Sequence, residues 1–226
     1  MAQKKAPRGG PARKNGRRAA VAPEKPAPPP PLPPFRLGVV PGTTPSKWIR
    51  HWREQRPHQR LELVPIDQAD QRAALAEGLV DAAICRRPIA GDLFIVALYD
   101  EVPVVVMSAD SSLAAVDELS PADLEGEVLI TPDDDVLGPL DLPTVAPQFP
   151  AVATTEDAIA TAASGIGIVV VPMSLARLHH RKDATYRPLA GGLVSEVVVA
   201  WPRERDGEDV QAFVAITRGR TARSSR

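Results

Sequence analysis

The chain has 226 residues with 27 Lys and Arg against 28 Asp and Glu, a formal net charge of −1, a single cysteine and 44% hydrophobic residues. A lone Cys85 excludes an internal disulfide, no Cys/His cluster has metal-ligand spacing, and no run of about 18 apolar residues suggests a membrane span. The amino terminus is basic like a secretory leader, but no apolar stretch of about 7 to 15 residues follows it, so a reducing cytoplasm is the expected location.

The near-neutral total conceals an asymmetry. Residues 1–34 carry Lys4, Lys5, Arg8, Arg13, Lys14, Arg17, Arg18 and Lys25 against Glu24 alone, and residues 218–226 carry Arg218, Arg220, Arg223 and Arg226. The two ends thus hold about +7 and +4, which leaves about −12 on the stretch between them. The front segment ends in the proline run PAPPPPLPP and cannot bury enough apolar surface to offset its ordering entropy. It reads as disordered, with the prolines partly in polyproline II. Such basic ends favour salt-dependent, sequence-independent contact with nucleic acid through phosphate neutralisation, and contain no base-reading element.

From Phe35 onward the pattern is that of a folded domain. FRLGVV is a short apolar run between Pro34 and Pro41-Gly42, a buried strand followed by a sharp turn. A helix should follow, capped by Thr43, Thr44 or Ser46 and with Pro45 in its first turn. Trp48, Ile49 and Trp52 then fall on one face. LELVPI is a second strand, DQRAALAEG a short helix closed by Gly78, and VDAAIC a third strand. This alternation implies βαβ units and a mostly parallel sheet, whose ligands bind outside the carboxyl ends of the strands. The turn after FRLGVV and Arg86 both lie there.

The order of strand, threonine-rich turn, helix, LELVPI, a helix ending LAEG and VDAAICRRP resembles the effector-binding domain of LysR-type transcriptional regulators. LYDEVPVVVMSADSSLA is similar to the family's passage into its second lobe, with Ser112-Leu113-Ala114 in place of His-Pro-Leu-Ala. LSPADLEGEVLIT resembles the following helix and strand. TTEDAIATAASGIGIVVVP resembles the second-lobe helix, glycine turn and strand, and ATYRPLAGGLVSEVVVAWPRER the return to the first lobe. The resemblance implies an α/β, two-lobed type 2 periplasmic-binding-protein-like fold: two Rossmann-like subdomains with crossover strands, with lobe I at about 35–99 and 190–217 and lobe II at about 100–189. A core of roughly 185 residues can bury about 70% of its unfolded surface.

Two departures stand out. Pro132, Pro139, Pro143 and Pro147 argue against the extra helix that the family carries between Thr131 and Thr154. The family's winged helix-turn-helix and linker helix need roughly 90 residues of periodic apolar sequence, which the basic tail before Phe35 does not supply.

The resemblance and the chemistry together nominate ligand contacts. Thr43, Thr44 and Ser46 would hold an anion at a helix start, or simply cap it. Gln71 and Arg72, with Asp70, open the second helix where the family places a polar effector contact, or form a solvated helix start. Arg86 would bind an anionic group, or join an ion pair. Across the cleft Thr131, Thr154 and Thr155 mirror this arrangement, with Thr155 as cap. Gly165 and Gly167 chiefly serve the turn, and Gly167 is also a candidate contact; Val102 and Pro103 mark the crossover, where Pro103 needs an edge or a bulge.

Catalysis is not expected. No GxSxG elbow or glycine-rich phosphate loop occurs, and His51, His58, His179 and His180 have no evident nucleophile. Cys85 beside Arg86 is either a redox-sensing thiol or a buried inert one, and Asp133–Asp135 either a cation site or a solvated loop. The expectation is an effector-binding regulator for a small anionic carboxylate or amino-acid-like metabolite, with no cofactor and with homodimers as in the family. The alternatives are an enzyme on the same fold, such as a dehydratase or biosynthetic enzyme, and a degenerate protein-interaction module reached through the proline run.

Overall fold

The computed structural model describes Met1, residues 32–191 and residues 193–219. The readings of a disordered basic front segment, a polyproline run and a basic carboxyl end therefore fall largely or wholly outside the described residues.

Two sheets organise the chain. The first is built from β1 (Phe35–Val39), β2 (Leu61–Pro65), β3 (Ala82–Arg86), β4 (Leu93–Glu101) and β8 (Ser195–Pro202), in the order β2-β1-β3-β8-β4. Helices α1 (Ser46–Gln55) and α2 (Gln71–Ala76) connect its first three strands, and α5 (Glu208–Thr217) follows β8. The βαβ expectation holds for β2-β1-β3, which pair in parallel. It fails beyond them: β8 returns from the far part of the chain and runs antiparallel between β3 and β4.

Alternation along the inner strands separates two cores, because successive side chains leave a strand on opposite faces. Ala82 and Ile84, with Val197, Val199 and Trp201, join Phe35, Trp52 and Phe213 on one face. Ala83, Cys85, Val198 and Ala200 pack with Leu75 and Val80 on the other. The Phe35 and Trp52 rings stack at 4.8 Å, and the Trp52 indole N–H donates to the Gln59 carbonyl, so this large ring is buried without an orphaned polar atom.

The second sheet has three antiparallel strands, β6 (Val169–Pro172), β5 (Pro103–Ser108) and β7 (Ala184–Pro188), with β5 in the centre. Helix α3 (Thr155–Ala163) packs its Ala158, Ile159 and Ala162 on β5, β6 and β7 residues, and α4 (Met173–Leu178) follows β6 directly. The chain crosses into this sheet at Val102 and returns between Pro188 and Ser195. Pro103 sits at neither an edge nor a bulge; it is the first residue of the central strand, opposite Pro172, which a missing N–H also permits.

Residues 131–154 contain no helix, in keeping with their prolines. The helix expected within LSPADLEG is a single 3-10 turn over Pro121–Leu124, too short to bury more than Leu124.

Candidate functional site at the junction of the two sheets

The carboxyl end of β3 delivers Arg86 into the protein interior, where it is 0% exposed. Its Nη1 donates to Glu101 Oε2 at 2.7 Å and to Ser195 Oγ at 3.1 Å; its Nη2 donates to Ser174 Oγ at 3.0 Å and to the Pro41 carbonyl at 3.3 Å. The Ser174 hydroxyl in turn donates to Glu101 Oε2 at 2.8 Å. A buried ion pair needs such additional bonds, because desolvation of the two charges otherwise outweighs their attraction. Gln71 fixes the backbone beneath the guanidinium: its Nε2 donates to the Arg86 carbonyl, and its Oε1 accepts from the Arg86 N–H. Among the described residues, only Nε of the guanidinium lacks a partner.

This network joins the sheets. Arg86, Glu101 and Ser195 belong to the first, and Ser174 lies on α4 of the second. Gly42, with φ of +80°, allows the close approach: a Cβ there would lie 2.7 Å from Ser174 Oγ and 2.9 Å from Leu175 Cδ2. A second link runs from Gln68 Nε2 to the Val136 carbonyl at 3.3 Å, leaving Gln68 Oε1 buried and unpartnered.

Beside the network lies a cavity of about 610 Å³. One side is formed by Thr44, Lys47 and Trp48 of the turn and α1, the second by Tyr99, Asp100 and Glu101 of β4 with Val102, and the third by Met173, Ser174 and Arg177 of α4. Trp48 and Tyr99 face one another with ring centroids 6.5 Å apart and 29° between planes. Trp48 is 8% exposed, and its indole N–H is buried without a partner. Burial, and then the neighbouring Glu101 carboxylate, push the Tyr99 phenol above its ordinary pKa, so it stays neutral. Among the described residues neither Lys47 nor Arg177 joins an ion pair; Arg177 makes only a long contact of 3.4 Å with the Tyr186 hydroxyl.

The nominated residues scatter. Thr44 and Val102 line the cavity beside the network. Thr43 donates to the Val40 carbonyl and lines a separate, more apolar cavity of about 790 Å³ with Ile66 and Leu178. No side chain caps α1, whose N-cap is Pro45, so the capping expected of Thr43, Thr44 or Ser46 is not used; Ser46 is exposed. Gln71 and Arg86 bond to each other, and Arg72 is exposed on α2. Thr131 lines a third cavity of about 420 Å³ within the second half of the molecule, with Asp135 and Leu140.

At α3 the cap is Thr154 rather than Thr155: the Thr154 hydroxyl accepts from the Asp157 N–H, as an extended residue just before a helix can. Thr155 lies one position further in, buried, and donates to Asp134 Oδ1 at 2.8 Å. That bond absorbs the middle of the Asp133–Asp135 run, and no group of three metal-ligating side chains occurs among the described residues. Gly165 takes a φ of +82°, while at Gly167 a Cβ would lie 2.4 Å from the Val128 carbonyl oxygen, a close backbone approach that places it against Val128. Burial pushes the Cys85 thiol up to about 12, which removes the thiolate a redox sensor needs.

Lys47, Trp48, Tyr99, Glu101, Ser174 and Arg177 were not singled out for the site from sequence. Trp48 had the spacing of a core residue, and it is one, yet it also forms a cavity wall. The short α4 after VVVP carried the missing signal, because a helix that starts directly at a strand's carboxyl end projects its first turn toward that edge.

Comparison with known proteins agrees with this architecture. The family model described as the LysR substrate binding domain matches residues 31–222. The Hca operon transcriptional activator HcaR of Escherichia coli (strain K12) is 24% identical over 201 residues, which cover 82% of this chain and 67% of that protein. Among solved structures, the effector binding domain of BenM with its effector benzoate superposes with a TM-score of 0.67 at 20% identity, covering 83% of this chain and 91% of that one. The reduced OxyR regulatory domain of Pseudomonas aeruginosa gives 0.63 at 21%, covering 82% and 96%. No helix among the described residues is long and apolar enough to cross a membrane.

Proposed function

The chain belongs to the LysR substrate-binding domain family, and from that premise we propose that it senses a small-molecule effector in the cavity of about 610 Å³ beside the Arg86–Glu101–Ser174 network and serves transcriptional regulation. The observation that carries this reading is the composition of the cavity wall. Both sheets contribute to it, and two of its residues, Glu101 and Ser174, are also the residues that join the sheets.

A ligand shifts a conformational equilibrium only by the difference in its affinity for the two states. A molecule touching α1, β4 and α4 at once has such a difference, because it loses one wall when the sheets separate. The volume suits an effector of metabolite size. The related HcaR is a transcriptional activator, and the BenM domain was solved with benzoate as effector, which supports a regulatory rather than enzymatic role here.

In this reading Arg86 anchors the junction. Its charge is already matched by Glu101, so an incoming acid would have to displace that carboxylate. The chain acts in the cytoplasm, as a homodimer, and its basic terminal segments add sequence-independent contact with nucleic acid. Selective retention of one short duplex over scrambled competitors at physiological salt would overturn that last point.

The test is a thermal-shift screen against benzoate, aliphatic dicarboxylates and amino acids. A ligand at 100 times its Kd stabilises by about 2.7 kcal/mol, or roughly 5–10 °C in Tm for a domain of this size. Failure of every compound to move Tm would overturn the effector-sensing reading.

A further inference from the structure

We propose that the effector is a planar ring bearing a single acidic group, and that Lys47 and Arg177, one from each sheet, hold that acid while Trp48 and Tyr99 hold the ring. This rests on the cavity being the effector site. Three observations converge on this class.

The first is charge. The cavity presents Lys47 and Arg177 with Asp100 and Glu101, and Glu101 is matched by the buried Arg86 behind it. Three cations against two carboxylates leave an excess of one positive charge, which one negative charge on the ligand balances. A dianion would leave one negative charge unmatched, that of Asp100, and a cation would add to the excess.

The second is the placement of the two cations. Lys47 extends from the first turn of α1 and Arg177 from α4, so they approach from opposite sides of the junction. Neither is committed to a carboxylate among the described residues, whereas Arg36, Arg56, Arg86, Arg87, Arg181 and Arg203 all are. An acid held by both would tie the sheets together, and it could not do so through Arg86, whose two Nη atoms are fully engaged.

The third is the wall. Trp48 and Tyr99 present two aromatic rings inclined by only 29°, and Met173 adds a polarizable thioether from the other sheet. Offset stacking and sulfur contacts favour an unsaturated ring over a saturated chain of equal area.

Calorimetric titration of the full chain with benzoate, cyclohexanecarboxylate, benzamide, benzylamine, phthalate and succinate tests the class. Benzoate is expected to bind. Cyclohexanecarboxylate should bind about tenfold more weakly for loss of ring stacking, and the remaining four more weakly still. Lys47→Gln and Arg177→Gln should each weaken benzoate about tenfold or more, as expected for loss of one charge-assisted bond. Both positions are exposed, and circular dichroism and Tm report that each variant remains folded. Arg87→Gln, a nearby surface cation outside the cavity, should leave affinity unchanged.

Tighter binding of succinate or phthalate than of benzoate would overturn the class while leaving the cavity as the effector site. Benzoate affinity unchanged in both Lys47→Gln and Arg177→Gln would overturn the clamp. Absence of heat with all six compounds would overturn the class; absence of any Tm shift across the wider screen would overturn the effector-sensing reading as well.

Discussion

The two sheets reach their common junction by different means. In the first, parallel pairing of β1 with β2 and β3 brings the ends of these strands to one edge, so Gly42, Gln68, Gln71 and Arg86 arrive there together although they are spread over 45 residues of sequence. In the second, all three strands are antiparallel and no such edge collects their ends. That half instead contributes α4, which begins at the end of β6 and supplies Met173, Ser174 and Arg177. The hydroxyl-bearing residues at the start of α3, which look like a mirror image of the first turn, are used on their own helix and on Asp134. Similar sequence motifs in the two halves thus have different uses, and strand direction decides which.

The largest expected effect tests the charge at the edge of the first sheet. Glu101→Ala leaves Arg86 buried and uncompensated and should cost about 3–5 kcal/mol in urea denaturation. The paired replacement Arg86→Met with Glu101→Leu should recover most of that loss, since an apolar pair needs no desolvation. A small loss in the single variant would mean that water already reaches the pair.

The counterpart in the second half is steric. Gly167→Ala forces a Cβ against the Val128 carbonyl, a backbone atom that cannot swing away, and should cost about 1–3 kcal/mol by the same measurement.

The helix starts provide the most direct contrast. Thr154→Ala removes a working cap and should cost about 1 kcal/mol, whereas Ser46→Ala, at the exposed first residue of α1, should change stability by less than about 0.5 kcal/mol. Equal losses would show that α1 is capped in solution by a bond the structure does not contain.

At neutral pH the smallest effect concerns Cys85, in the first sheet, whose contribution emerges only in alkali. With the folded thiol at about 12 against an ordinary value of 9.0, the unfolded chain releases its proton first as pH rises. The folded state then binds more protons in that window, so stability falls as pH climbs from about 9 toward 12 and is unaffected below it. Cys85→Ala should flatten that decline, and at pH 8 iodoacetamide should label the native protein only at the rate of unfolding.

Much of the first half was legible because its signals are local. FRLGVV, LELVPI and VDAAIC each have the length and apolar content of a buried strand, and Gly42 and Gly78 stand at turns that require positive φ. The prolines between Thr131 and Thr154 announced the absence of a helix for an equally local reason. Arg86 was legible as a residue at the strand end, and its partners were not: Glu101 is 15 residues away, Ser174 is 88 and Ser195 is 109. From sequence Thr155 reads as the cap, and one residue of uncertainty in a helix start exchanges a cap for a buried position.

By itself the sequence determined the strands, the turns, the family resemblance and the charge separation between the chain's ends and its middle, since these depend on side-chain type and spacing over fewer than about ten residues. Tertiary structure alone decided which cation is paired, and which is not, among the described residues. Arg86 is neutralised by a carboxylate that β8 and the crossover bring beside it, while Lys47 and Arg177 meet across a cavity that exists only once the two sheets are joined.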